Sequence, residues 1–414
     1  MDEIIVGIDV GTTKICTLVG RVEEEGAIRI LGVGIVPSNG IRKGVITDIS
    51  AATQAITRSV EKAEQTSGVE ITSALVSLAG AHVASINSRG VVAVSGDTVD
   101  EYDIVRALDA ARAVAIPHNR EIIHIIQRGF ILDGQDGISM PIGMHGYRLE
   151  VEAHIITASA ATVDNLRQCV GSAGVDVVQF VLNPLASADV VLTENDRQMG
   201  VAVCDIGGGT TDLALYVDGN VWHTMVLALG GNHITADIAH GLRLPLVQAE
   251  QAKIDYGYAI RAEVGIEEHF SIQPFGEDKP VEISRKDMAH IIEARVEEIF
   301  NLALQEIKRS GYDGLLPAGM VLTGGTSMLP GIRQMASNLL GMPVRLAKPE
   351  NLLGLVDKLS SPAYSTSVGL LYWAADLQDE MLPPVRGRPL FQLRKGDNSI
   401  DLDKLKDWFK RLLP

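Results

Sequence analysis

The segments VGIDVGTTKICTLVG (Val6 to Gly20) and VCDIGGGTTDLALY (Val203 to Tyr216) write one pattern twice: strand, Asp, apolar residue, glycine bend, a Thr-Thr pair, strand. After each first strand, Gly11 and the run Gly207, Gly208 and Gly209 let the backbone bend and approach a ligand closely, with N–H groups clear of side chains. Thr12, Thr13, Thr210 and Thr211 add hydroxyl donors, and Lys14 offers a cation to a terminal phosphate. Asp9 and Asp205 are placed to hold Mg2+ through water, because Mg2+ sheds its hydration reluctantly. Neither segment has the spacing of a P-loop, and either one alone is as well read as a plain hairpin. Facing each other across a cleft, the two would grip a triphosphate from both sides. That needs two halves, and 414 residues exceed one ordinary core.

Two further double glycines follow the same logic. LTGGTSML places Gly324, Gly325 and Thr326 where a base or ribose needs room, with a helix expected after Ser327. LGGNHIT sets Gly230 and Gly231 at the opening of another helix, whose N-terminus favours anions. Glu250 and Lys253, three residues apart in AEQAKIDYG, are either a pair flanking base and ribose or a solvated salt bridge.

The remaining chain reads as α/β. Aromatics are only 4%, so the core is expected to consist of Val, Ile, Leu and Ala. Between Ala84 and Ile156 the texture changes to a self-contained α+β insertion: a hairpin-like start in SINSRGVVAVSG, one amphipathic helix, then two strands. SRKDMAHIIEARVEEIFNLALQEIKRSG is a long helix opened by a Ser284–Asp287 capping box. Its apolar stripe runs through Met288, Ile292, Val296, Ile299 and Ala303, with Arg295 inside the edge. A net charge of −16 argues against a general nucleic-acid binder. The three cysteines form no C-x-x-C pair, which points to a reducing compartment with neither disulfides nor a zinc site. No leader or membrane-spanning run is read, so a cytoplasmic location is expected unless something tethers the chain.

This ordered set of glycine motifs resembles the actin/Hsp70/sugar-kinase ATPase superfamily over nearly the whole chain. The resemblance implies an actin-like fold of two duplicated α/β halves around a nucleotide cleft, with ATP and Mg2+ as ligands. It assigns Asp9, Gly11, Thr12, Thr13 and Lys14 to the first phosphate motif, Asp205 and Gly207 to Thr211 to the second, and Gly324, Gly325 and Thr326 to the adenosine motif. In LNPLASA, Asn183 stands where chaperone-type members carry a Glu that positions attacking water. Asn can hydrogen-bond water but cannot take its proton, so no catalytic residue is assigned and turnover is expected to be slow or nil.

The end of the chain, DLDKLKDWFKRLLP, is amphipathic at helical spacing. Leu402, Leu405, Trp408, Phe409, Leu412 and Leu413 share one side, and Asp403, Lys404, Lys406, Asp407, Lys410 and Arg411 the other. Residues 383–414 hold eight Lys/Arg against four Asp/Glu, so this tail is basic while the body is acidic. The tail therefore suits an anionic lipid surface, with residues 383–400 as a linker. One such helix binds reversibly, so firm attachment needs several copies in one assembly.

With that tail, the chain closely resembles the bacterial FtsA family of cell-division proteins. The resemblance implies subdomain 1A over 1–83 and 157–198, completed by about 362–382, and an inserted subdomain 1C over 84–156. Subdomain 2A would take 199–240 and 308–361, subdomain 2B 241–307, and a membrane helix 401–414. It further implies filaments of the protein on the inner face of the cytoplasmic membrane, tethering FtsZ through its C-terminal peptide, with Arg285 and Arg295 as acceptors of that peptide and 1C recruiting later division proteins. The rival expectations are a pilus-assembly homologue of actin and a small-molecule kinase of the same superfamily.

Overall fold

The computed structural model describes residues 4–23, 27–114, 116–277 and 279–379. The expected membrane helix and its linker lie outside the described residues. The quoted segments open two sheets of the same design. In the first, strands Ile4–Val10, Lys14–Val22 and Ile28–Pro37 run as consecutive antiparallel neighbours, and Ser73–Leu78 and Asp176–Leu182 extend the other edge in parallel. In the second, Val201–Ile206, Thr211–Val217 and Asn220–Leu227 repeat the antiparallel run, and Met320–Thr323 and Val344–Leu346 repeat the parallel extension. Strands buried on both sides read as continuous apolar runs, which explains VAVCDI and TDLALYV.

Two helices join the halves beneath the repeated bends. Asn183–Val191 and Ser365–Asp379 pack so closely that a Cβ on Gly369 would lie 1.8 Å from the Ala186 carbonyl oxygen. The insertion forms its own sheet, in the order Ala84–Ala93, Arg148–Ser159, Arg120–Leu132, Gln135–Ile138, with helix Glu101–Arg112 on one face.

Three local expectations change. SINSRGVVAVSG is not a hairpin: Ala84–Ala93 is one strand paired along its length with Arg148–Ser159, and Gly90 lies straight under helix Glu101–Arg112. The helix expected after Ser327 is delayed: Gly325–Met328 is a 3-10 turn, Pro330 follows, and the α-helix begins at Ile332. At Ser284 only half the capping box is made, the Ser284 hydroxyl accepting from Asp287 N–H. The apolar stripe of that helix is buried as expected.

Candidate functional site

The two bends are two-residue loops of equal length. Gly11 N–H donates to the Lys14 carbonyl at 3.1 Å, and Gly207 N–H to the Thr210 carbonyl at 2.9 Å. Thr12 and Thr13 therefore occupy the tip of one hairpin, and Gly208 and Gly209 the matching tip of the other. The tips meet. A Cβ on Gly208 would lie 2.3 Å from Thr13 Cγ2, and one on Gly209 2.4 Å from Thr12 Oγ1. Exchanging the halves maps one of these contacts onto the other. Side chains fit on one tip only, which is why one bend carries three glycines and the other a single one.

Behind the tips, one helix start holds both aspartates. Thr366 Oγ1 donates to Asp205 at 3.0 Å and the neighbouring Ser367 Oγ to Asp9 at 2.6 Å. Ser77 Oγ completes Asp9 at 3.0 Å, and Ser187 Oγ completes Asp205. Burial raises the Asp205 carboxyl above its ordinary value, with Asp9 adding repulsion. Directly across the hairpin from Asp205 stands Asp212, a residue the sequence reading passed over. It is 1% exposed and accepts from Thr210 Oγ1 at 2.9 Å, while its Oδ1 has no partner among the described residues. Burial, then the Asp205 charge, pushes its pKa well above the usual range. A raised folded pKa favours folding only at low pH and is lost as pH climbs through it. Asp212→Asn should therefore raise the melting temperature of ligand-free protein near neutral pH, and the gain should shrink toward pH 4; thermal melts across pH check this.

The other glycine motifs converge on the second hairpin. Gly324, at φ 85°, packs against Asp205, and Thr326 Oγ1 donates to the Gly207 carbonyl at 2.9 Å. Gly231 N–H and Asn232 N–H donate to the Gly207 and Gly208 carbonyls at 3.0 and 2.7 Å. The helix opened by Gly230 and Gly231 thus spends these first amides bracing the hairpin rather than presenting them to an anion. Lys253 Nζ bonds the Gly231 carbonyl at 3.2 Å and Glu250 at 2.7 Å, so the pair is a salt bridge and also touches the glycine motif. Lys14 Nζ donates to the Ala363 carbonyl and stands 4.6 Å from the centre of the Tyr364 ring. Lys43 sits at φ 51° in the turn whose Gly44 N–H donates to Thr12 Oγ1 at 3.2 Å. Asn183 opens its helix with Oδ1 buried and unpartnered among the described residues.

Both arginines expected to meet a peptide already have acidic partners. Arg295 is bidentate to Asp237 at 2.6 and 2.9 Å and also bonds Glu298. Arg285 bonds the Tyr256 carbonyl at 2.7 Å and pairs with Glu268. Among the described residues no helix is long and apolar enough to cross a membrane, and no group of three or more His, Cys, Asp or Glu could hold a metal by direct ligation.

Comparison with known proteins now decides the family. The model described as cell division protein FtsA matches residues 202–369, and the one described as the SHS2 domain inserted in FtsA matches 80–157. The cell division protein FtsA of Pseudomonas aeruginosa is 42% identical over 378 residues, covering 91% of each chain. This chain belongs to the FtsA family of cell-division proteins. Its fold is the actin-like one. A PilM-PilN type IV pilus biogenesis complex superposes with TM-score 0.63 at 16% identity, covering 90% of this chain and 98% of that one. MreB5 of Spiroplasma citri bound to ADP superposes with TM-score 0.55 at 15% identity, covering 92% and 98%. At such identities these likenesses concern the fold alone, so the pilus reading gains nothing from the first. The match to the inserted domain takes in the paired lengths of strands Ala84–Ala93 and Arg148–Ser159 together with the α+β segment they enclose.

Proposed function

We propose that this FtsA-family chain binds ATP with Mg2+ between its two hairpins, assembles into filaments on the inner face of the cytoplasmic membrane, and tethers FtsZ filaments there during division. The observation that carries the nucleotide reading is the pseudo-symmetric meeting of Thr12–Thr13 with Gly208–Gly209. The site's chemistry suits the ligand. Amides and hydroxyls of Gly11 to Thr13 and Gly207 to Thr211 would hold phosphates, and Asp9 and Asp205, fixed by hydroxyl donors, would order the water around Mg2+. Bound Mg2+ would supply charge for the phosphates. Gly324, Gly325 and Thr326, with Glu250 and Lys253, would border the nucleoside. Asn183 Oδ1 lacks a partner among the described residues and would accept a hydrogen bond from water without removing its proton, so the nucleotide serves mainly as an assembly ligand.

For FtsZ, exposed Leu246, Val247 and Ile254 on helix Leu246–Tyr256 offer apolar anchors near Arg285, whose guanidinium bonds the last residue of that helix. An acidic peptide would compete with Asp237 and Glu298 for Arg295 and with Glu268 for Arg285. The membrane reading rests on the one-sided Leu402, Leu405, Trp408, Phe409, Leu412 and Leu413 pattern. Flotation with anionic vesicles tests the whole. The full chain with Mg-ATP should float and carry FtsZ with it, deletion of 401–414 should abolish flotation, and Arg295→Glu should float without FtsZ. A tail-deleted chain that floats equally well contradicts the membrane assignment, and an Arg295→Glu chain that still carries FtsZ contradicts the peptide site.

A further inference from the structure

The inserted domain is built on the first half. Strand Ser73–Leu78, which carries the Ser77 ligand of Asp9, leads into it, and Arg148–Ser159 leaves it directly into helix Ala160–Ser172. Its contacts nevertheless close on the second half, at Asn220–Leu227, the edge strand of that sheet. Ile156 packs in one apolar cluster with Val221 and Val226 there, and three polar or stacking contacts add to it among the described residues. Ser85 Oγ donates to the Thr224 carbonyl at 3.0 Å. His154, 1% exposed, spans from Asn87 Oδ1 at 2.7 Å to Thr224 Oγ1 at 3.0 Å. The Arg128 guanidinium stands 3.6 Å from the centre of the Trp222 ring.

The third contact depends on a bulge. Glu152 pairs with Gly129 and Ala153 with Gln127, so Arg128 is the extra residue, and bulges of this kind re-aim a side chain. Its Nε has no hydrogen-bond partner among the described residues. Trp222 is fixed in turn, Nε1 donating to the Val217 carbonyl at 2.9 Å and the ring meeting Tyr312 edge-on at 5.0 Å. Thr224 is 4% exposed, so separating the surfaces would expose His154 and Thr224 with their hydrogen bonds broken.

The clasped strand is not remote from the cleft. It pairs from Leu227 to Asn220 with Thr211–Val217, the strand that leaves the second hairpin. The insertion therefore connects the two hairpins by a route that avoids the cleft: Asp9 to Ser77 to the inserted sheet, then through Asn220–Leu227 to Thr211. We propose that the inserted domain is a clasp between the halves, and that its seating on Asn220–Leu227 and the meeting of the hairpin tips belong to one closed state. Ligand in the cleft then tightens the clasp, and by reciprocity loosening the clasp weakens the ligand. This coupling rests on the nucleotide reading above; the clasp itself does not.

Hydrogen exchange on the full chain separates the two. Without ligand, Arg128→Ala should speed exchange across Asn220–Leu227 and Ala84–Ala93 by roughly fivefold, the scale of a partly desolvated cation–π contact, and leave Ile4–Val10 unchanged. Arg128→Lys should resemble Arg128→Ala, since an ammonium lacks the stacking plane. No change at Asn220–Leu227 overturns the clasp whatever the nucleotide does. With Mg-ATP, the unaltered chain should gain protection at both hairpins and at Asn220–Leu227, and Arg128→Ala should bind ATP more weakly by a similar factor. Protection of the hairpins without Asn220–Leu227 overturns the coupling and spares the nucleotide reading. Protection of neither hairpin overturns that reading and the coupling with it, leaving the ligand-free comparison to decide the clasp.

Discussion

Gly209→Val is expected to weaken nucleotide binding about a hundredfold while the chain stays folded. The added branch would enter the space of Thr12, whose Oγ1 lies 2.4 Å and Cβ 2.9 Å from where a Cβ would stand. The tips must separate, and amides on one side then lose a phosphate aimed at both. A loss of roughly 3 kcal/mol, about a hundredfold in Kd, is the expected scale. The pseudo-symmetry supplies a rescue. Moving the side chain from one tip to the other, Thr12→Gly with Gly209→Thr, should recover much of the affinity, because each contact needs a side chain on one partner only. Titration with Mg-ATP in the single and double variants checks this. A single variant that binds normally, or a double variant no better than the single, counts against the paired tips.

Gly369→Ala should have the largest effect on stability. The added Cβ would sit 1.8 Å from Ala186 O and 2.3 Å from Ala186 C, both backbone atoms that cannot rotate aside. Helices Asn183–Val191 and Ser365–Asp379 would have to part, at a cost of roughly 3 kcal/mol. The same helix start presents Thr366 and Ser367 to Asp205 and Asp9, so the shift should also disturb both carboxylates. Gly171→Ala is the control, with nothing within 4 Å of its Cβ and a place in a helix where Ala is preferred. Denaturant midpoints should fall sharply for the first and hold or rise for the second. Equal midpoints would mean the helices do not cross as closely as described.

Much of the site was legible because its parts are local. A strand, a glycine bend and a second strand are set by consecutive residues, so both hairpins, and the doubling that implies two halves, could be read from Val6–Gly20 and Val203–Tyr216. Residues that act by tertiary contact were not legible. Ser77, Ser187, Thr366 and Ser367 reach the aspartates across long sequence separations, and nothing in their own neighbourhoods announces it. Asp212 was readable in principle, since counting evenly outward from the Gly208–Gly209 tip brings Asp205 and Asp212 opposite each other. The resting contacts of Lys14 were not legible either, since Ala363 and Tyr364 arrive from the far end of the chain. The hairpin expected in SINSRGVVAVSG failed for a related reason. Gly90 looked like a turn, but its lack of a side chain admits helix Glu101–Arg112, a packing need no local pattern records.

The most direct test of the two-hairpin site is a crystal structure of the full chain with Mg2+ and a non-hydrolysable ATP analogue. It should show one polyphosphate contacted by amides of both Gly11–Thr13 and Gly207–Thr211, with Mg2+ reached by Asp9 and Asp205 through water. Nucleotide touching a single hairpin, or seated elsewhere on the molecule, would contradict it.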